Sequence, residues 1–342
     1  MARPVRDYDE SDVRIRPNRR GSRPRTKERP KHEDAVPGRV LAVDRGRYRV
    51  RVPGDHGHHE VSAMRARELG RKGIVVGDEV YLVGDTSGAE GTLARIVRLG
   101  ERETVLRRTA DDTDPVERVL VANADQLVVV SALADPEPRP RLIDRCLVAA
   151  YDAGMEPLLV LTKADLADPG PFLAQYAPLS VPHVVTRRGA DGGLAGLEEV
   201  RAALAGRVSV LVGHSGVGKS TLVNALVPEA ERATGVVNTV TGRGRHTSTS
   251  AVALPLPGED GWVVDTPGVR SFGLAHVDPT RIVHHFPDLE PGTAECPRGC
   301  THDEEECALD AWVAGGGAGP AGPSRLESLR RLLRTRTAAS ED

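Results

Sequence analysis

Gly213 to Ser220 reads GHSGVGKS, a glycine, four residues and then Gly-Lys-Ser. Ahead of it, Arg207 to Val212 (RVSVLV) is a β-branched run suited to a buried parallel strand, and behind it Thr221 to Val227 (TLVNALV) opens an apolar helix. Strand, glycine-rich loop and helix in that order form a phosphate loop. The glycines let backbone N–H groups turn inward around a phosphate at a helix N-terminus, where the macrodipole also favours anions. The cradling set is Gly213, His214, Ser215, Gly216, Val217, Gly218, Lys219, Ser220 and Thr221. Within it, Lys219 is placed to reach the β and γ oxygens, and the Ser220 hydroxyl to ligate Mg2+. A chance turn in a chain with 36 glycines is the bland alternative, and the flanking strand and helix count against it.

At 342 residues with 39% hydrophobic side chains, the chain has room for two to three domains with real cores. No apolar run approaches a membrane span and the Arg-rich N-terminus is no secretory signal, so a soluble, cytoplasmic, monomeric protein is expected. Met1 to Lys31 holds eleven Arg or Lys against five Asp or Glu, while the whole chain carries −3; the remainder is therefore acidic. Residues 1–33 read as a disordered basic tail, either a phosphate-seeking arm for nucleic acid or a solubilising extension.

From residue 34 to 108 the pattern turns to short alternating strands (GRVLAV, RYRVRV, GIVVGDEVYLV, GTLARIVRL), which predicts a small closed β-barrel of the OB-fold kind. Arg39, Arg45, Arg47, Arg49, Arg51, Arg65, Arg67, Arg71 and Lys72 are candidates for a basic RNA-binding face. With only Tyr48 and Tyr81 as aromatics, contact with phosphates is favoured over base stacking. Residues 109–125 read as a linker into a domain spanning 109–275, where strands (Gln126 to Leu133, Glu156 to Thr162, Pro182 to Thr186) alternate with helices (Arg139 to Ala153, Gly193 to Ala205). That alternation predicts a mostly parallel sheet covered by helices.

Two further boxes fall at strand ends. Thr162-Lys163-Ala164-Asp165 follows the EPLLVLT strand and resembles the [N/T]KxD guanine box of GTPases. The Asp165 carboxylate can accept from guanine N1 and N2, donors that adenine lacks at those positions, and the Lys163 stem can lie over the base. Asp265-Thr266-Pro267-Gly268 follows the apolar strand Trp262 to Val264 and resembles the DxxG box, with Asp265 holding Mg2+ through a water and the Gly268 N–H sensing the γ-phosphate. The guanine box precedes the phosphate loop by about fifty residues, the reverse of the Ras-like order. A parallel sheet tolerates such a circular permutation, because rejoining the termini leaves every strand-end loop in place.

Together with ANADQLVVV, GHSGVGKST, GRGRHTSTS, DTPGVRSFG and a cysteine cluster, these boxes make residues 36–310 resemble the ribosome small subunit-dependent GTPase A family, permuted GTPases of small ribosomal subunit biogenesis. The resemblance implies a GTPase stimulated by the small subunit and its rRNA in late maturation, cycling between GTP and GDP. It makes Gly242 to Ser250 the first switch, with Thr247 or Thr249 completing the Mg2+ shell, and leaves Val269 where Ras-like enzymes carry a water-orienting glutamine. His246 is the candidate water-positioning, catalytic residue; an RNA-phosphate contact is its alternative role. The second guanine loop, usually Ser-Ala, reads Val185-Thr186-Arg187-Arg188-Gly189, leaving Thr186 or Arg187 to offer an N–H to guanine O6. Rival readings are an RNA-binding assembly factor with GTP only as a conformational ligand, and a metabolite kinase, against which TKAD counts.

Cys296, Cys300, His302 and Cys307 form C-x3-C-x-H-x4-C, a closed donor set for one structural Zn2+, a residue shorter in two gaps than the family's usual spacing. Cys146 reads as a core residue, and His56, His58, His59, His284 and His285 as surface or packing residues. Residues 276–338 are therefore expected to form a zinc-binding helical extension. In it Ala311 to Pro323 is a linker and Ser324 to Thr337 an amphipathic basic helix with Ser324 as N-cap, packing its leucines on the zinc region.

Overall fold

The computed structural model describes residues 32–55, 57–70, 73–109, 117–190, 192–228, 251–266, 272, 274 and 277–337. The basic tail up to Lys31 lies outside them, as do His56, Arg71 and Lys72.

Five strands open the described chain: β1 (Val36–Asp44), β2 (Arg47–Gly54), β3 (Gly57–Arg65), β4 (Glu79–Gly84) and β5 (Ala94–Leu99). They pair in the order β1-β2-β3-β5-β4 and close through β4 onto β1, with β3 parallel to β5 and the other pairs antiparallel. This is the expected OB-like barrel. Val40, Val50, Val52, Val61, Val80, Leu82 and Ile96 alternate inward and fill it. The third strand, GHHEVSAMR, was not legible as one because His58, His59, Glu60, Ser62, Met64 and Arg65 leave only Val61 and Ala63 to point inside. Several of the candidate RNA-facing arginines already have partners. Arg39 faces Glu79 at 3.6 Å, Arg49 faces Glu60 at 3.3 Å, and Arg51 lies 4.8 Å over the Trp262 ring. Tyr48 is in the core, and Arg98 stands 3.7 Å over one face of the Tyr81 ring.

The segment expected to be a linker corrects to a strand: β6 (Val105–Thr109) and β7 (Glu117–Ala122) form an antiparallel hairpin. Val119 and Val121 supply the alternation, and Val121 is fully buried. The turn at Gly77 stitches this hairpin to the barrel, because Gly77 N donates to Val40 O (2.9 Å) and Ala122 N to Val76 O (3.0 Å). Gly77 sits at φ +87°, and a Cβ there would lie 1.9 Å from Ala122 O, so no side chain fits.

Next come β8 (Gln126–Ala132), α1 (Pro140–Asp152), β9 (Glu156–Thr162), α2 (Gly170–Tyr176), β10 (His183–Val185), the short pair β11 (Arg187–Arg188) and β12 (Leu194–Ala195), α3 (Leu197–Leu204), β13 (Val208–Val212), α4 (Lys219–Leu226), β14 (Val252–Pro255) and β15 (Trp262–Asp265). The sheet order β10-β9-β8-β13-β15-β14 is parallel except for β14, which runs antiparallel to β15 and meets β1 at Val252 and Ala42. The helix expected from Gly193 starts four residues later, since Leu194 and Ala195 are spent on the β11–β12 hairpin. Both faces of the sheet are buried, which is why its strands read as unbroken apolar runs rather than alternating ones. Leu127, Val129, Leu159, Leu161, Val210 and Val264 face α1 and the C-terminal helices; Val128, Val130, Leu158, Val160 and Val263 face α3 and α4.

The C-terminal region contains α5 (Pro279–Val283), a 3-10 stretch at Glu290–Glu295, α6 (Ala308–Ala314) and α7 (Gly322–Thr337). Two expectations are corrected here. The supposed linker is helical to Ala314, and Trp312 in it donates from Nε1 to Asp288 O (2.9 Å). The last helix begins at Gly322, so Ser324 lies inside its first turn, donating to Ala321 O (2.9 Å) rather than capping. Leu326, Leu329, Leu332 and Leu333 are buried, and α7 packs on α1 and α5 as well as on α6. Four arginines of α7 are committed within the molecule: Arg325 to Asp288 (2.6 Å), Arg330 to Asp310 (2.6 Å), Arg331 to Asp144 (3.0 Å) and Arg334 to Asp303 (2.8 Å). Packing, not a free basic face, accounts for this helix.

Asp144 on α1 is the buried member of that set, and burial pushes its carboxyl up to about 6 against the pull of Arg331. A folded-state value above the unfolded one gives stability that is complete below about pH 4 and is lost as the pH rises through about 6. We expect wild type to lose about 1.4 kcal/mol between pH 5 and 7.5 relative to Asp144→Asn, read from urea midpoints. Parallel pH profiles would refute this.

Candidate functional site

Because β8, β9, β13 and β15 are adjacent and parallel, their carboxyl ends open on one edge of the sheet. That edge receives Asp135 and Pro136 after β8, Thr162 to Asp165 at the end of β9, Gly213 after β13, and Asp265 and Thr266 at the end of β15. Three boxes scattered over about a hundred residues of chain thus become neighbours.

The phosphate loop is tied to both of its partners. Gly218, at φ +93°, ends the loop, and α4 starts at Lys219 with its first backbone bond from Leu222 N to Gly218 O (2.9 Å). Lys219 Nζ donates to Asp265 Oδ1 and, at 2.8 Å, to Thr266 O. Thr266 is fully buried and its hydroxyl donates to Leu211 O (2.7 Å), which fixes the end of β15 against β13. On the other side the buried Thr162 hydroxyl donates to Val217 O (2.6 Å), locking the guanine box to the phosphate loop. Ser220 and Thr221 are exposed in the first turn of α4. His214 is half-buried, its Nδ1 2.7 Å from Ser215 O.

In the guanine box, Lys163 sits at φ +60° and its ammonium donates to Asp135 O, so its stem crosses toward the loop after β8. Asp165 is exposed and accepts Arg188 N at 3.0 Å. That N–H, with the Lys163 and Arg188 charges adding less, holds its carboxyl below the usual carboxylate range. One expectation is corrected: Thr186 N is spent on Leu161 O at 2.7 Å and Thr186 O accepts Ala164 N (3.2 Å), so Thr186 has no N–H left for a base. Two participants were missed in the sequence, the Asp135 carbonyl and the Arg188 amide. Each acts through its backbone, which leaves no residue-type signal; the only cue was their position just beyond a strand end.

The large clefts lie elsewhere. One of about 430 Å³ is lined by Glu79, Glu103, Asp125, Arg207, Asp260 and Trp262 near the opposite strand ends, and one of about 530 Å³ by Tyr151, Leu179, His285, Asp288 and Arg325. Beneath the phosphate loop lies a space of about 20 Å³ lined by Gly213, His214 and Val217. Lys219 folded onto Asp265 narrows this edge. Gly268, Val269, His246, Thr247 and Thr249 fall outside the described residues.

Matching a family model, the chain aligns over residues 99–275 with the RsgA GTPase family. The chain belongs to the RsgA GTPase family. It is accordingly a GTP hydrolase with a circularly permuted core. Among its relatives, the "Small ribosomal subunit biogenesis GTPase RsgA" of Pseudomonas aeruginosa strain LESB58 is 39% identical over 268 residues, covering 76% of this chain and 75% of that protein. The protein of the same name from Gemmatimonas aurantiaca is 36% identical over 285 residues, covering 81% and 91%. The crystal structure of YjeQ from Thermotoga maritima superposes with a TM-score of 0.63 at 27% identity, over 89% of this chain and 99% of that one. YloQ, described as a circularly permuted GTPase, gives 0.61 at 20% identity over 90% and 98%, a likeness of fold alone.

A second constellation stands in the C-terminal region. The ligand atoms of Cys296, Cys300, His302 and Cys307 all lie within 4.8 Å of one another. Cys296 Sγ is 3.9 Å from Cys307 Sγ and 3.6 Å from His302 Nδ1. Two thiolates at tetrahedral positions about 2.3 Å from zinc stand about 3.8 Å apart, so the donors fit that ion in type and spacing. Burial lowers His302, keeping the imidazole neutral as a ligand must be, and raises the Cys300 and Cys307 thiols, which a bound cation would reverse. This cluster can hold a metal ion; all four cysteines of the chain, including the buried Cys146, are free. Among the described residues no helix is long and apolar enough to cross a membrane.

Proposed function

We propose that this GTPase acts in small ribosomal subunit biogenesis, in late maturation. On this reading it is stimulated by the subunit and its rRNA and couples nucleotide state to subunit binding and release, working as a cytoplasmic monomer. The observation that carries the reading is the convergence of the four strand ends, with Lys219 on Asp265 and Thr162 on Val217. Thr162 to Asp165 take the guanine, Gly213 to Thr221 cradle the phosphates, and Ser220 with Asp265 provides oxygen ligands suited to Mg2+. Bound Mg2+ would neutralise charge on the β and γ oxygens during transfer to water. Gly268, Thr247, Thr249 and His246 keep the roles assigned from the sequence: γ-phosphate sensing, Mg2+ ligation and water positioning. Zn2+ is the proposed occupant of the Cys3His cluster, in a structural role.

With no glutamine at Val269, intrinsic turnover is slow and docking on the subunit supplies the catalytic gain, the logic of an activating partner. The expected result is GTP hydrolysis by the purified full chain that rises at least tenfold with purified small subunits, with a gain that falls as salt is raised from 50 to 200 mM. Equal turnover with and without subunits would overturn the proposal while leaving the hydrolase assignment intact.

A further inference from the structure

The β11–β12 hairpin has no part in the sheet, yet it is built with tight tolerances. Arg187 pairs with Ala195 and Arg188 with Leu194, and the turn closes through Gly189 N to Gly193 O (2.9 Å) and Gly192 N to Gly189 O (3.0 Å). Leu194 packs with Val184 and Leu197 against the core that contains Val200 and Leu204. At the base, Gly196 has φ +87°, and a Cβ built there would stand 2.4 Å from Val185 O and 3.3 Å from the Thr186 Cα. A side chain at 196 would therefore push against the strand that leads into Arg188. The outer end of the hairpin delivers one polar contact to the nucleotide edge, Arg188 N to Asp165 Oδ1 at 3.0 Å.

We propose that this hairpin is a positioning device for base selection: the Arg188 backbone N–H fixes the Asp165 carboxylate in the orientation that accepts from guanine, and Gly196 sets where that N–H stands. Arg188 is a positioning residue here, and its side chain is not the acting group. The inference rests on the proposed role of Asp165 toward guanine. An exposed aspartate otherwise samples several rotamers, and a base that must select one of them binds more weakly by that fraction. A carboxylate oxygen has two lone pairs, so Oδ1 can keep the Arg188 bond while the base engages the carboxylate. The usual residue pair of the second guanine loop is missing from this chain, and an amide in an anchored hairpin holds the carboxylate without a particular side chain.

The test measures equilibrium affinity of the full-length, metal-replete protein for GTP, ITP and ATP in four variants. ITP lacks the N2 donor and ATP lacks both donors, so ATP reports the phosphate loop alone. Arg188→Pro removes the N–H and is expected to weaken GTP about tenfold while leaving ATP within about twofold, shrinking the GTP to ITP ratio. Arg188→Ala keeps the N–H and is expected to match wild type. Gly196→Ala should move GTP affinity in the same direction as Arg188→Pro, and it serves as the reporter if the proline variant does not fold. Asp165→Asn tests the underlying reading: lost guanine preference supports it, and unchanged preference sinks it together with the proposal. If Asp165→Asn loses guanine preference but Arg188→Pro and Gly196→Ala bind GTP as wild type does, only the positioning role is overturned. An Arg188→Ala variant as weak as Arg188→Pro also overturns it, since the side chain would then be the acting group.

Discussion

Lys219→Ala should lower single-turnover GTP hydrolysis by about 10³-fold and GTP affinity by about 10²-fold. The Lys219 side chain is 12% exposed and its ammonium donates to Asp265 and to Thr266 O (2.8 Å), so it sits between the phosphate loop and the end of β15. On the proposed reading, this point charge would meet the β and γ oxygens when phosphates enter the loop. Charge-assisted bonds of this kind are about twice as strong as neutral ones, and loss of one preorganised donor to a developing anion costs roughly 3–4 kcal/mol. A second effect adds to the first. Without Lys219, the Asp265 carboxylate, 32% exposed, would face incoming phosphate with no cation beside it and repel it. Lys219→Arg should rescue little, because a planar fork cannot reproduce a compact ammonium at the start of α4. Rapid-quench hydrolysis with titration of a fluorescent GTP analogue checks both numbers. A loss of less than threefold in both would remove the loop from the chemistry, and lost nucleotide binding with intact subunit maturation would favour an RNA-binding assembly factor for which GTP is only a conformational ligand.

The other large effect is expected at the cysteine cluster. Cys307→Ser, or prolonged chelation, should release one metal ion per chain and lower the thermal midpoint of the C-terminal region by more than 10 °C. Apparent zinc-binding energies of about 10–16 kcal/mol are folding energies when the site exists only in the folded chain. Cys307 is buried at the residue that leads into α6, beside the buried Leu309, and His302 is held at φ +68°. Arg330 donates to His302 O (3.1 Å), so loss of the metal loosens α7 and with it the packing on α1. GTP affinity should nevertheless stay within about threefold, since the ligands belong to the C-terminal region and not to the strand ends that carry the nucleotide boxes. Elemental analysis, calorimetry and limited proteolysis measure these outcomes; a metal-free chain with unchanged melting and protease resistance would contradict them.

Much of the site was legible because its chemistry needs particular residue types at short spacing. GHSGVGKS, TKAD, DTPG and the Cys3His set each lie within a dozen consecutive residues, so local order displays them without knowledge of the fold. The buried strands were legible for a related reason: a sheet covered on both faces leaves β8, β9 and β13 mostly apolar, with the few buried polar side chains such as Ser209 and Thr162 hydrogen-bonded. Legibility failed where one face meets solvent or the contact is made by backbone. GHHEVSAMR hid β3 behind outward-facing polar residues, ERVLVA was taken for a linker, and SRLESLRRLL offered a capping pattern two residues inside its helix.

The sequence by itself determined the inventory of this protein: a phosphate-loop motif, a TKAD tetrapeptide like the guanine box of GTPases and a Cys3His set that could hold a metal ion, in a permuted order that a parallel sheet can accept. Tertiary structure alone decided which of those parts touch. Thr162 reaches Val217 across 55 residues, Lys219 reaches Asp265 across 46, and Arg188 N reaches Asp165 across 23. The physical reason is that parallel pairing sets strand ends side by side whatever their order along the chain, and backbone donors such as Arg188 N act by position rather than by residue type.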